Sequence, residues 1–156
     1  MALGDFRVVS TGGGEPVAHK YQAKAAGTSI KAGEFVTQGT SSDVEYVIQG
    51  ANGASSALVW VGVAATTSTE TAAADGEVWV YDDPEYIFAG KATTFANLSE
   101  ASILTEVTLD RDSSSPYTQT VDENDTSSGT LRIMGYDSNL SEVYVKMASP
   151  DHLFSK

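Results

Sequence analysis

The sequence contains no cysteine. That excludes disulfides, cysteine-ligated zinc, iron–sulfur clusters and cysteine nucleophiles. It has only two histidines, His19 and His152, too few for a multi-histidine metal site within one chain. Positive charge is scarce: 9 Lys and Arg stand against 21 Asp and Glu, a formal net charge of −12 at pH 7. Phosphate backbones and anionic membranes repel such a chain, so neither nucleic acid nor membrane is an expected partner. No window reaches the run of about 18 apolar residues that a membrane-spanning helix requires. The opening Met1-Ala2-Leu3-Gly4-Asp5 lacks a basic stretch followed by an apolar run, so it does not read as a signal peptide. Synthesis and folding in a cytoplasm are expected.

What remains suits one β-rich domain. The 156 residues fit a single domain of typical size, and 41% hydrophobic content can fill a core. The polar remainder is rich in Thr, Ser, Gly and Asn, which favour short strands and turns. Val17, His19 and Tyr21 share one face of a candidate strand over 16–23, and 30–36 reads as the strand that brings the chain back. Leu58 to Ala65 is the most apolar run and reads as a strand buried on both faces, with Gly62 allowing close approach of a neighbour. Asp75-Gly76 signals a turn. After it Val78 and Val80 alternate with Trp79 and Tyr81. Thr94 to Ala101 is the one place for a helical turn, with Asn97 or Ser99 as its cap. Further strands are expected over 102–109, 117–121, 131–136 and 142–147. The expected fold is all-β: a compact antiparallel β-barrel or β-sandwich of about ten short strands. Residues 1–14 form an extended N-terminal arm and glycine hinge, 15–147 the single β-domain and 148–156 a C-terminal tail.

Motifs for chemistry are weak. Asp82, Asp83 and Glu85, and likewise Asp122, Glu123 and Asp125, group oxygen ligands suited to calcium, but neither set has EF-hand spacing. Each also fits a solvated acidic turn. Paired carboxylates with Trp60 and Trp79 fit a glycoside hydrolase only on a larger, grooved scaffold. Trp60 instead sits in the most apolar run and reads as core. Ser, His and Asp are all present, yet no Gly-x-Ser-x-Gly elbow accompanies them. Gly12-Gly13-Gly14 lacks the Lys and helix start of a phosphate loop. It reads as a hinge after Phe6-Arg7-Val8-Val9, which is either an arm that adds a strand to a neighbour or the first strand of the body. Trp79 and Tyr81 offer an oligomer face. Leu153 and Phe154 are apolar residues on a tail, tucked against the domain or inserted into a neighbour. No cofactor is implied, and the chain reads as a non-enzyme.

Four stretches resemble the head decoration (cement) proteins of tailed bacteriophages. They are Ile30-Lys31-Ala32-Gly33-Glu34-Phe35-Val36, then Leu58 to Ala64, then Asp75-Gly76-Glu77-Val78-Trp79-Val80-Tyr81, and last Gly129 to Asp137 with Val143-Tyr144-Val145-Lys146. The resemblance implies a structural virion protein without catalytic activity. Such proteins sit on the outer surface of the expanded capsid, bind a major capsid protein of HK97-type fold, assemble as homotrimers and clamp neighbouring capsid subunits. On that reading Phe6, Arg7, Val8, Trp79, Tyr81, Leu153 and Phe154 are the candidate contacts to capsid or sister subunit. A tail or head-fibre component is the alternative within a virion. A carbohydrate-binding module, marked by an exposed aromatic row, is the alternative outside it.

Overall fold

A computed structural model describes residues 6–27, 29–50, 59–111, 119–127 and 129–148. The chain is all-β. Its strands are β1 (Arg7–Ser10), β2 (His19–Ala23), β3 (Phe35–Gln38), β4 (Val47–Gln49), β5 (Trp60–Ala64) and β6 (Gly76–Tyr81). They continue as β7 (Ile87–Gly90), β8 (Glu106–Arg111), β9 (Gln119–Asp122), β10 (Leu131–Asp137) and β11 (Glu142–Met147). The six-stranded sheet runs β1-β7-β11-β10-β8-β9 and the five-stranded sheet β2-β6-β5-β3-β4, with every neighbour antiparallel. Each sheet curls, so that single parallel bridges, Ala92 to Val121 and Gln22 to Tyr46, link its distant parts. Neither closes into a barrel, and the architecture is sandwich-like.

Period-2 patterning explains why these segments pair. Val78 and Val80 are buried and Trp79 is exposed along β6, and Val143, Val145 and Met147 are buried on alternate positions of β11. Strand β5 is buried throughout, because both of its faces carry core. Trp60 and Val63 join a first core with Phe6, Phe35, Phe88 and the inner faces of β8, β10 and β11. Val61 and Ala64 join a second, aliphatic core with Ile30, Val36, Val47, Val78 and Val80. A side chain at Gly62 would place Cβ 1.9 Å from the Tyr81 carbonyl oxygen, so the close β5–β6 approach requires glycine there.

Several boundaries differ from the sequence expectation. The return strand starts at Phe35 rather than Ile30, because residues 31–34 form a turn closed by Glu34 N–H donating to the Lys31 carbonyl. The strand expected over 102–109 starts at Glu106. Before it lie two 3-10 turns, Phe95–Asn97 and Glu100–Ser102, and Ser99 is the N-cap residue of the second, its N–H donating to Ser102 Oγ. A further 3-10 turn, Ser41–Asp43, falls where none was expected. The strand placed over 117–121 is β9, and Tyr117 lies outside the described residues.

The N-terminal segment takes the second of its two expected forms, the first strand of the body. Residues 7–10 form an edge strand of the six-stranded sheet, with Arg7 opposite Ala89 and Val8 opposite Phe88. Phe6 is 2% exposed, and its ring packs edge-on against Phe35 with centroids 4.6 Å apart. Burying a phenylalanine holds this segment to the body. The glycine run therefore connects the two sheets. Gly12, Gly13 and Gly14 all take positive φ, and Thr11 Oγ1 donates to the Gly14 carbonyl and accepts from Gly13 N–H. Residues 1–5 and 149–156 lie outside the described residues, as do Leu153 and Phe154 with them.

Candidate functional site

Four of the residues singled out from sequence line one groove. Phe6, Arg7, Val8 and Tyr81 border a cavity of about 460 Å³, walled opposite by Pro16, Ala32, Gly33, Ala64 and Ala65. It lies where β1 meets the five-stranded sheet, and Phe6 N–H donates to the Gly33 carbonyl across that junction at 2.8 Å. Phe6 contributes from the core. Val8 and Tyr81 are half-buried against the first core. Arg7 forms a two-pronged bond with Glu142, Nη1 to Oε1 at 2.5 Å and Nη2 to Oε2 at 2.8 Å. That bond holds Arg7 above its ordinary pKa and Glu142 below the usual carboxylate range. Trp79 stands apart, 45% exposed and opposite Lys20 of β2. Trp60 is fully buried in the first core, as its apolar run implied.

A second arrangement escaped the sequence reading. Asp82 is 4% exposed and accepts hydrogen bonds from two residues of β2. His19 Nδ1 lies 2.8 and 3.0 Å from its two oxygens, and the Tyr21 hydroxyl donates to Oδ2 at 2.7 Å. A carboxylate only accepts, so Nδ1 carries the proton and Nε2 is the atom the imidazole offers to solvent. The His19 side chain is 64% exposed. Burial, and then the bond to Asp82, push the Tyr21 hydroxyl well above the ordinary tyrosine range. Around this trio runs an open groove of about 730 Å³, walled by Val17, Pro84 and Tyr86 and flanked by Lys20 and Asp83. Tyr86 holds its upper wall in place, its hydroxyl accepting from Val17 N–H at 3.1 Å.

The signal for this trio was partly visible. His19 and Tyr21 share a strand face by alternation, and Asp82 continues the Val78–Val80 face by the same period. What the sequence did not supply is the antiparallel pairing of β2 with β6, which sets His19 opposite Val80 and Tyr21 opposite Val78.

A third polar group borders the second core. Glu34, 3% exposed, accepts at Oε2 from Lys31 N–H and from Gln49 Nε2, and Gln49 Oε1 accepts from Arg111. Gln49 and Arg111, with Glu70 and Val47, line a cavity of about 320 Å³.

Apart from Asp82, the acidic clusters resolve into turns. Asp83 Oδ1 accepts Glu85 N–H, Asp122 Oδ1 accepts Asn124 N–H, and Asp125 Oδ1 accepts both the hydroxyl and the N–H of Ser127. Glu123 ties back to Thr94 N–H and the Asn97 amide. Among the described residues no three His, Asp or Glu side chains are grouped to hold a metal ion. No helix among them is long and apolar enough to cross a membrane. No protein-family model, curated protein or solved structure matches the chain.

Proposed function

We propose that this is a structural virion protein that binds the outside of an expanded tailed-phage capsid and clamps neighbouring capsid subunits. The observation that carries the proposal is the groove that gathers Phe6, Arg7, Val8 and Tyr81 beside the edge strand β1. An edge strand next to an apolar groove can take an extended segment of a neighbouring chain, with backbone bonds for affinity and the groove for side-chain selection. The four stretches that resemble decoration proteins add support. Their described residues supply β5, β6, β10 and β11 and the turn into β3, and so span both sheets of one body. Exposed Trp79 serves as a contact between sister subunits in the trimer. Such a protein works by linkage: binding only the expanded shell stabilises that state by the binding free energy, repeated over many sites. No catalytic step enters the function.

The test is co-sedimentation with expanded and unexpanded heads assembled from the major capsid protein of the same genome. Saturable binding to expanded heads alone is expected. Binding to neither form removes the decoration function.

A further inference from the structure

We propose that the groove between the open edge of β2 and the 82–86 turn is a docking slot for an extended, basic segment of a partner protein. One arginine or lysine of that segment lies along Val17, Pro84 and Tyr86, with its head group at Asp83 Oδ2 and His19 Nε2. Under the decoration function the segment belongs to the capsid protein, and only that identity rests on the earlier proposal.

Two independent observations converge on this slot. The first is the strand edge. β2 is the outer strand of its sheet, paired with β6 on one side, and among the described residues its other side makes a single bridge at Gln22. His19, Lys20 and Tyr21 therefore face an edge that no described strand occupies, where a further strand can add. The second is the chemistry of the groove. Its walls are apolar: Val17 is 54% exposed although it is a β-branched aliphatic, and Pro84 and Tyr86 complete the surface. Apolar walls take the methylene stem of a long basic side chain, while a polar end takes its charge.

Charge selects the occupant. The chain carries −12, so its field favours a cationic partner from a distance. Within the groove the strongest donors are already engaged. Lys20 Nζ pairs with Glu77 at 3.0 Å, and His19 Nδ1 is held by Asp82. Asp83 spends Oδ1 on Glu85 N–H, and Oδ2 accepts from no partner among the described residues. A guanidinium or ammonium group supplies the donors that Asp83 Oδ2 and His19 Nε2 lack. An anionic segment would meet Asp82 and Asp83 without compensation.

The test is titration of the full chain at low ionic strength with the peptide acetyl-Val-Arg-Val-Arg-Val-amide, with Glu replacing Arg in the control. The readout is the NMR signals of the Val17 methyls, the His19 imidazole and the Tyr86 ring. Saturable shifts confined to these residues are expected with the arginine peptide and not with the glutamate peptide. Val17→Lys places bulk and like charge on the exposed wall and is expected to weaken binding at least about tenfold, or 1.4 kcal/mol. Val44→Lys, at a similarly exposed valine outside the groove, is expected to leave binding unchanged. An unchanged thermal midpoint in both variants shows that the fold is intact. Equal binding of the two peptides, shifts centred elsewhere, or wild-type affinity in Val17→Lys overturns the slot. Head binding without peptide shifts overturns the slot alone. Peptide shifts without head binding overturn the decoration function and leave the slot standing.

Discussion

The two cores solve different problems. The first lies between the sheets and is built on aromatic rings. Phe35 sits at its centre, edge-on to Phe6, Phe88 and Trp60 at centroid distances of 4.6, 5.5 and 5.8 Å. The second lies on the other face of the five-stranded sheet and is aliphatic. Tyr21 packs against it and carries its hydroxyl out to Asp82. Interlocked rings from Phe6 and from β3, β5 and β7 fix how the two sheets sit on one another. The aliphatic core asks less of geometry, and polar groups border it: His19, Tyr21 and Asp82 in one place, Glu34, Gln49 and Arg111 in another. Buried polar groups accordingly gather around the second core, and ring packing between the sheets resides in the first.

The strongest way to break this contrast is Phe35→Ala. It removes the ring that touches three other aromatics and leaves a cavity between the sheets. The expected loss is about 3–5 kcal/mol, read from chemical denaturation. In the second core Ile30→Val deletes one methylene and is expected to cost about 0.5–1.5 kcal/mol. Comparable losses from the two substitutions would mean that the aromatic cluster is not the main tie between the sheets.

Asp82 gives the next largest effect. Asp82→Ala leaves the Tyr21 hydroxyl and His19 Nδ1 without their acceptor, and a lost acceptor for partly buried donors costs about 1–3 kcal/mol. A purely structural substitution elsewhere would not move the Tyr21 titration. Here removal of the bond to Asp82 is expected to lower the alkaline midpoint of Tyr21, while the larger effect of its burial persists. Ultraviolet titration of the phenolate band measures this. An unmoved midpoint would mean that Asp82 does not govern the hydroxyl.

How far the sequence announced these regions depends on range. Alternation within a strand was legible: Val78 and Val80 are buried and Trp79 is exposed, as period 2 requires, and the apolar Trp60 run is buried on both faces. Local turn chemistry was legible too, in the Ser99 cap and in the acidic turns that close on their own backbone. Phe6 was not legible as core. Its burial depends on pairing β1 with β7 and on the ring of Phe35, both remote in sequence. The His19–Asp82 contact was missed for the same reason, since it follows from the β2–β6 register. Leu153 and Phe154 fall outside the described residues, so the expectation that they tuck in or reach a neighbour stands as it was.

The smallest effect concerns the edge of the first core, where Arg7 of β1 grips Glu142 of β11 across β7. Glu142 is 13% exposed, and its bond to Arg7 holds its folded pKa below the ordinary value. A carboxylate depressed in the fold binds fewer protons there than in the unfolded chain. Its stabilisation is complete above the unfolded pKa of about 4.3 and is lost as pH falls through the depressed value. The raised Arg7 value lies beyond the working pH range and adds no pH dependence there. Because Arg7 is 38% exposed and screened by solvent, the pair is worth about 1 kcal/mol or less. Arg7→Met keeps much of the stem and removes the charge. The variant is expected to start slightly less stable at neutral pH and to lose less between about pH 5 and 3 than the wild type. Asp75 supplies a control near the second core, since Ala25 N–H and the Tyr46 hydroxyl lower its pKa without any contribution from Arg7. Its share of the acid sensitivity persists in Arg7→Met. Parallel acid profiles for wild type and Arg7→Met would mean that the grip on β11 is not ionic, and that ring packing and the backbone pairing with β7 hold β1 in place.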